Sequence, residues 1–436
     1  MENAREIALK TLYQVEYEGA YSNLALKSQL TDSKLQGADR GLATALVYGV
    51  LQKKLMLEYI ISEFSSVKLK KISKFILLIL ELGIYQIIFM DKIPESAAVN
   101  ESVKLARRYG HTKSAGFVNA LLRNVVKNRN SLPEPKDKLK RISVKYSFPE
   151  WICERWIKEF GEEFACNLME AMNEDAKMCL RVNALKKDDI KEKIPYICDG
   201  VYVSDAVYTS GFDVSGSEAY RNGFVTPQDE AAMLASLVLN PKEGDTVIDM
   251  CAAPGGKSTH MAEIMNNKGK IYSFDIYEHK QKIIEENAKR LGIDIISSGV
   301  LDASEYCNKY KETADKILVD APCSGLGIIR RKPEIKWNRN PEDEFSSMQY
   351  KILENAARYL KKDGEILYST CTVEKEENEE VIEKFLNTHP EFNAVDITEL
   401  LPEKLRKDTA KKGYITLYPG IDKTDGFFIA KIKKVD

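Results

Sequence analysis

The stretch Thr246-Val-Ile-Asp-Met-Cys-Ala-Ala-Pro-Gly-Gly-Lys-Ser-Thr259 constrains the fold of this chain more than any other. Three strand formers lead to Asp249, a run of small residues through Ala252, Ala253, Pro254, Gly255 and Gly256 marks a tight turn, and a helical pattern starts near Lys257. This is the first strand-to-helix turn of a nucleotide-type α/β domain. Glycines there let a ligand approach the backbone, and the new helix offers unpaired N–H groups and a positive dipole end to a carboxylate or phosphate. The ending Gly256-Lys257-Ser258 also matches the end of a phosphate-binding loop. Cys251 stands where that loop needs its first glycine, which argues against an NTPase.

From Asp245 onward the chain alternates as a doubly wound parallel sheet requires. Strands are expected at Thr246–Met250, Lys270–Asp275, Ile295–Gly299, Lys316–Asp320 and Glu365–Ser369, with helices at His279–Leu291 and Met348–Lys361. An antiparallel pair, Tyr414–Tyr418 with Phe427–Ile432, closes the sheet. A chain of 436 residues is long enough for two or three domains. Residues 1–130 read as an all-helical bundle, with apolar rows such as Leu42, Leu46, Val47, Val50 and Leu51, and with Asp39 as the expected cap of a helix over Gly41–Leu57. The apolar run Phe75–Met90 is too short for a membrane span of about 20 residues and carries Glu81 and Gln86, so it is expected to be a buried helix. Residues 131–141 form a basic linker broken by Pro133 and Pro135. A small α/β segment over 142–225 follows, with a helix over Pro149–Asn173 and strands at Met178–Val182 and Val201–Tyr208. Residues 226–436 make the main domain.

Net charge is −2, but it is unevenly spread: residues 1–141 hold 23 Lys/Arg against 14 Asp/Glu, an excess of nine, leaving −11 for the rest. The first part is the better suited to a polyanion, with a solvated basic surface as the plain alternative. The eight cysteines include no Cys-x-x-Cys pair and no His at metal-ligand spacing. No metal and no disulfide framework are expected, and the compartment reads as reducing cytoplasm. No signal-peptide pattern precedes the helical residues Ala4–Tyr17. A monomer without membrane attachment is the expectation.

Ligands of such a sheet bind beyond the carboxyl ends of the strands. Those ends carry Asp249, Asp275, Asp302, Asp320 with Cys323, and Cys371. Asp275, 26 residues after Asp249, falls where a carboxylate holds ribose hydroxyls, and Asp302 falls where an adenine amino group would come. Any one of these aspartates alone would read as a helix cap. Cys323 and Cys371 stand beyond neighbouring strands. A free thiol near pKa 8.5 needs a positive neighbour to act as a nucleophile, and Lys257 on the first turn is placed to supply it.

The words Asp249-Met-Cys-Ala-Ala-Pro-Gly-Gly-Lys257, Asp320-Ala-Pro-Cys-Ser-Gly-Leu-Gly327, Arg331-Lys-Pro-Glu-Ile-Lys-Trp337 and Tyr368-Ser-Thr-Cys-Thr372 resemble the RNA 5-methylcytosine methyltransferases of the Nop/Sun group. Leu180-Arg-Val-Asn183, Thr226-Pro-Gln-Asp-Glu230 and Asp425-Gly-Phe-Phe428 match its remaining motifs in order. The words Val47-Tyr48-Gly49, Leu82-Gly-Ile-Tyr-Gln86, Asn100-Glu-Ser-Val103 and Phe117-Val-Asn-Ala-Leu-Leu-Arg123 resemble a NusB-like RNA-binding domain. Together they point to the bacterial 16S ribosomal RNA branch, the Sun/Fmu type.

That resemblance implies a NusB-like bundle, a small α/β subdomain and a Rossmann-like catalytic domain using S-adenosylmethionine. It implies that Cys251, Ala252, Ala253, Pro254, Gly255, Gly256 and Lys257, with Asp275, Asp302 and Asp320, hold the cofactor. Cys371 corresponds to the nucleophile, Cys323 to the cysteine assisting product release, and Asp320 to a contact with the cytosine edge. RNA contacts are expected from Arg181, Asn183, Arg331, Lys336, Asn119 and Arg123, the last two of which read equally well as helix-packing residues. Carbon-5 of cytosine is a poor nucleophile, so a thiolate must first add at carbon-6, and the base must be unstacked to be reached. The implied partner is therefore a single-stranded or opened part of 16S ribosomal RNA. A transfer RNA substrate, or a non-catalytic RNA-binding protein, is the competing reading, and the presence of both cysteines argues against the latter.

Overall fold

The computed structural model describes residues 3–186, 190–194, 197–210 and 212–435; parts of the expected small α/β segment, at 187–189, 195–196 and 211, lie outside the described residues. The chain forms two compact units, one of residues 1–174 with 329–341 and one of residues 175–328 with 342–436.

The first unit is helical. It contains α1 (Ala4–Glu18), α2 (Ser22–Asp32), α3 (Ala38–Phe64), α4 (Lys74–Phe89), α5 (Glu95–Tyr109), α6 (Ser114–Lys127), α7 (Lys138–Tyr146), α8 (Glu150–Phe160) and α9 (Glu162–Ala171). The apolar run in α4 is buried as expected, and it carries Glu81 and Gln86 inside with it, at 2% and 1% exposure. Gln86 is satisfied by Arg5 Nε at 2.6 Å and the Leu82 carbonyl at 2.8 Å, while burial pushes the Glu81 carboxyl well up in pKa. Asp39 does not cap α3. The helix begins one residue before it, so its carboxylate lies in the first turn, where it complements the helix dipole. The helix expected over Pro149–Asn173 is broken at Gly161, whose φ of +84° with ψ of 158° no helix tolerates. Both pieces, α8 and α9, join the helical unit, while the strands expected in the same segment lie in the second unit.

The segment 329–341 belongs to the helical unit although it follows a strand of the second unit in sequence. Its Glu334, 1% exposed, accepts hydrogen bonds from Ser22 N at 3.0 Å and Ser22 Oγ at 2.8 Å. That carboxylate supplies the cap that Tyr21, the N-cap of α2, cannot. Lys336, expected on RNA, is fully buried. Its ammonium donates to the Gln52 carbonyl at 2.9 Å and Asn173 Oδ1 at 3.2 Å and lies 4.5 Å from the Phe148 ring. It is a packing residue rather than a surface cation, and burial drives its pKa well down.

The second unit holds two sheets. The smaller is antiparallel, in the order β2-β3-β1-β4, from β1 (Met178–Val182), β2 (Cys198–Asp199), β3 (Ala206–Thr209) and β4 (Val225–Pro227). The larger comprises β5 (Thr246–Asp249), β6 (Lys270–Asp275), β7 (Ile296–Val300), β8 (Ala314–Asp320), β9 (Leu360–Thr370), β10 (Phe392–Ala394), β11 (Tyr414–Leu417) and β12 (Phe427–Lys434). Its order is β10-β12-β9-β8-β5-β6-β7 with β11 against β12, parallel from β7 to β9 and antiparallel beyond.

Side chains alternate between two cores, as a sheet covered on both faces requires. Val247, Leu318 and Leu367 pack in one core with helices α10 (Glu230–Leu239), α11 (Gly256–Ile264) and α12 (Glu278–Leu291). Ile248, Ile317, Val319, Ile366 and Tyr368 pack in the other with α13 (Ser346–Tyr359) and α14 (Glu379–Thr388). The strand order reverses at β5, which lies between β6 and β8, and so opens a crevice at the ends of β5 and β8.

Candidate active site

The turn after β5 is built as the small residues dictate. Gly255 sits at φ +97°, a conformation that strains any residue with a Cβ, and its N–H closes the turn on the Ala252 carbonyl at 2.7 Å. A Cβ on Gly256 would meet nothing nearer than Gln228 at 3.9 Å, so the backbone there faces open space. Behind the turn lies Arg181, on β1 and 0% exposed. Its guanidinium grips Glu263 at 3.1 and 2.9 Å, Thr259 Oγ1 at 2.9 Å, the Gly256 carbonyl at 2.7 Å and the Gln228 side chain. One buried arginine thus anchors the start and the third turn of α11 to the small sheet.

At the end of β8, Asp320 accepts hydrogen bonds from Lys257 Nζ at 2.7 Å and Ser369 Oγ at 2.8 Å. Burial alone would lower the Lys257 pKa, but pairing with Asp320 outweighs it and the net shift is upward, so this ammonium stays charged; a negative charge on Cys371 stabilises it further. The sulfurs of Cys323 and Cys371 lie 3.2 Å apart. Their loops are stitched together by Ser324 Oγ donating to Thr372 Oγ1 at 2.8 Å and Gly327 N donating to the Cys371 carbonyl at 3.0 Å. Glu377 accepts from Ser324 N at 2.8 Å and from Gln349 Nε2 at 3.0 Å, and Gln349 also donates to the Pro322 carbonyl at 3.0 Å. Sequence reasoning passed over Glu377, Gln349, Ser324 and Thr372, because no chemistry marks them; the structure finds them holding the two thiols in place. The Cys323 thiol is pushed well up by its hydrogen bond to Cys371 and by burial.

Asp249 is 1% exposed, and burial raises its pKa to about 7 against the hydrogen bond from Ser258 Oγ at 2.6 Å. Its second oxygen is buried and has no partner. The Cys251 thiol is pushed well up by burial and then by the charges of Asp249, Asp320 and Asp275, which makes it inert. Asp275 at the end of β6 accepts from Tyr277 N at 3.2 Å and pairs with Lys280 at 3.3 Å. Asp302 uses one oxygen for a local turn, accepting from Ser304 N at 2.9 Å and Ser304 Oγ at 2.7 Å. Between these carboxylates stand Ile276, Tyr277 and Val300, at 50%, 54% and 53% exposure. Exposed apolar side chains at the ends of β6 and β7 suit a flat aromatic ligand. A sequence signal for two of them existed, since they directly follow Asp275.

The expected RNA contacts divide. Arg181 and Asn183 are buried, and Asn183 is spent on the Gly223 and Leu291 carbonyls at 2.9 Å each, so both are framework residues rather than RNA ligands. Lys336 is withdrawn for the same reason. Arg123 is exposed on α6 and donates to half-buried Asn119 at 3.2 Å, and Arg331 is half-buried. Among the described residues no helix is long and apolar enough to cross a membrane, and no group of three or more His, Cys, Asp or Glu side chains is placed to hold a metal ion.

Three family models match the chain: NusB over residues 2–127, a ferredoxin-like domain of RsmF/B-like methyltransferases over 148–190, and the 16S rRNA methyltransferase RsmB/F over 236–433. A probable ribosomal RNA small subunit methyltransferase B of Bacillus subtilis is 39% identical over 99% of both chains. A protein of the same description from Synechocystis is 31% identical over the full length of both. The crystal structure of PH0851 matches 100% of this chain and 99% of its own with a TM-score of 0.83 at 28% identity. The chain has a NusB domain, a ferredoxin-like subdomain and a Rossmann-like methyltransferase domain, and it belongs to the RsmB/F family of 16S rRNA methyltransferases.

Proposed function

We propose that this protein transfers the methyl group of S-adenosylmethionine to carbon-5 of a cytosine in 16S ribosomal RNA, with Cys371 as nucleophile. The observation that carries the reading is the pair of thiols 3.2 Å apart beside the Lys257–Asp320 ion pair. The names of the full-length relatives support ribosomal RNA as the substrate. The crevice suits the cofactor: open backbone at Gly256, an unpartnered buried oxygen on Asp249, the Asp275 carboxylate and the apolar trio beside it. Residues Cys251 to Lys257, with Asp275 and Asp302, would hold it. When bound, it supplies an electrophilic methyl group on a sulfonium.

The chain's own residues do the rest. Lys257 favours the thiolate of Cys371, which bonds to carbon-6 and moves electron density to carbon-5. Asp320, steadied by Lys257 and Ser369, stabilises the adduct by passing to ring nitrogen N3 a proton it has taken from solvent, and takes that proton back when the ring double bond re-forms. After transfer a base removes the hydrogen on carbon-5, the ring double bond re-forms, and the sulfur–carbon bond breaks with its electron pair returning to Cys371. Cys323, whose sulfur lies 3.2 Å from that of Cys371, is the thiol placed to assist this release.

Asp275→Ala is expected to weaken S-adenosylmethionine binding to the full chain about ten- to a hundredfold, the worth of about 1.5–3 kcal/mol for hydrogen bonds to a charged acceptor. Calorimetry measures it, and an unchanged Kd would place the ribose elsewhere.

A further inference from the structure

The basic, proline-broken linker plays no part in the proposed chemistry, yet it forms one wall of a cleft of about 810 Å³ inside the helical unit. The other walls are Met56, Tyr59 and Ile60 of α3, the face of α7, and Glu162 and Cys166 of α9. On α7 the lining cations Lys138, Arg141 and Lys145 recur at helical spacing, so they form one row, and Arg129, just before the linker, lines the same cleft. Four cations line the cleft against two carboxylates, Glu134 and Glu162. Two of the cations are committed, Arg129 to Glu95 and Lys138 to Glu162 at 2.5 Å. Arg141 and Lys145 are exposed and have no carboxylate partner among the described residues. Two rings, Tyr59 and Tyr146, share the cleft, with Lys145 Nζ 4.8 Å from the centre of the Tyr146 ring. Pro133 and Pro135 stiffen the linker wall, which lowers the ordering cost of binding.

We propose that this cleft is a binding site for single-stranded RNA, in which Arg141 and Lys145 contact phosphates and Tyr59 and Tyr146 stack bases. Cations without a carboxylate partner, set in a row beside half-buried aromatic rings, are the combination by which proteins hold single strands without reading sequence. The volume falls in the range of roughly 300–1,000 Å³ typical of sites that enclose small organic groups such as a base. The inference rests on the RNA reading of the protein and adds to it a subsite in the helical unit, remote in sequence from the cysteines.

The test uses the full chain and a short fluorescein-labelled single-stranded RNA in an anisotropy titration over a range of salt. The double variant Arg141→Gln, Lys145→Gln is expected to bind about tenfold more weakly and to lower the slope of log K against log salt by about 1.4, the value for two lost phosphate contacts on a single strand. Tyr59→Leu is expected to weaken binding about fivefold or more at unchanged slope. Cross-linking of 4-thiouridine RNA to the intact protein is expected to mark peptides within 129–146. A control, Lys411→Gln with Lys412→Gln, removes the same charge from exposed positions in the other unit. Equal losses in both double variants, or RNA binding untouched by the cleft variants, would overturn the site. Failure of the unaltered protein to bind any RNA while it still binds S-adenosylmethionine would overturn the RNA reading itself.

Discussion

Replacing Cys371 by alanine is expected to abolish methyl transfer, by on the order of a thousandfold or more, and to leave no covalent protein–RNA species. Carbon-5 is never activated without the carbon-6 bond. Replacing Cys323 is expected to have a different outcome: attack and transfer proceed, and the protein then stalls on its product as a covalent adduct. Distance does not choose between two sulfurs 3.2 Å apart. The asymmetry comes from their surroundings. The Lys257 ammonium and a negative Cys371 stabilise each other, whereas the Cys323 thiol is pushed up by its hydrogen bond to Cys371 and by burial, with the charge of Glu377 adding to the shift. A denaturing gel with labelled RNA separates the cases. A shifted band from the Cys323→Ala protein alone supports the assignment, and a shifted band from Cys371→Ala alone reverses it.

The second large effect is expected far from the reacting atoms. Arg181→Met leaves Glu263 as an uncompensated charge in a site where the arginine is 0% exposed, which should cost about 3–5 kcal/mol of stability. Burial lowers the arginine's pKa and raises that of Glu263, each against the pull of its partner, so the pair gains little net stability over an apolar equivalent. The double variant Arg181→Met, Glu263→Met should therefore recover most of the loss in a denaturant melt. It should not recover cofactor affinity, because the bonds from Arg181 to the Gly256 carbonyl and Thr259 are gone and the turn is free to drift. Full recovery of both quantities would reduce Arg181 to a simple charge partner.

The sheet was readable from sequence because its strands are local patterns, and the residues proposed to react stand just beyond the ends of those strands. Short apolar runs end in a carboxylate or a cysteine, and the order of those runs fixes which ends meet in the crevice. The errors cluster where partners are distant in the chain. Arg181 finds Glu263 82 residues later, and Lys336 reaches Gln52 across 284 residues. Both were expected to face RNA because they stand in motifs shared with RNA methyltransferases, and no local pattern signals that a cation in such a motif is buried. Nothing in Arg331-Lys-Pro-Glu-Ile-Lys-Trp337 signals that Glu334 caps α2 through Ser22, because a cap contributed from outside its own helix leaves no local pattern. The break at Gly161 was visible as Phe160-Gly161-Glu162, but the apolar periodicity on both sides outweighed it.

Nucleoside analysis of 16S RNA after reaction with the purified protein and methyl-labelled S-adenosylmethionine tests the proposed chemistry most directly. The label is expected in 5-methylcytidine, released from the Cys371 adduct at a single position that is absent when Cys371 is alanine. Label in any other nucleoside, or 5-methylcytidine formed as fast by the Cys371→Ala protein, would contradict carbon-5 transfer through this cysteine.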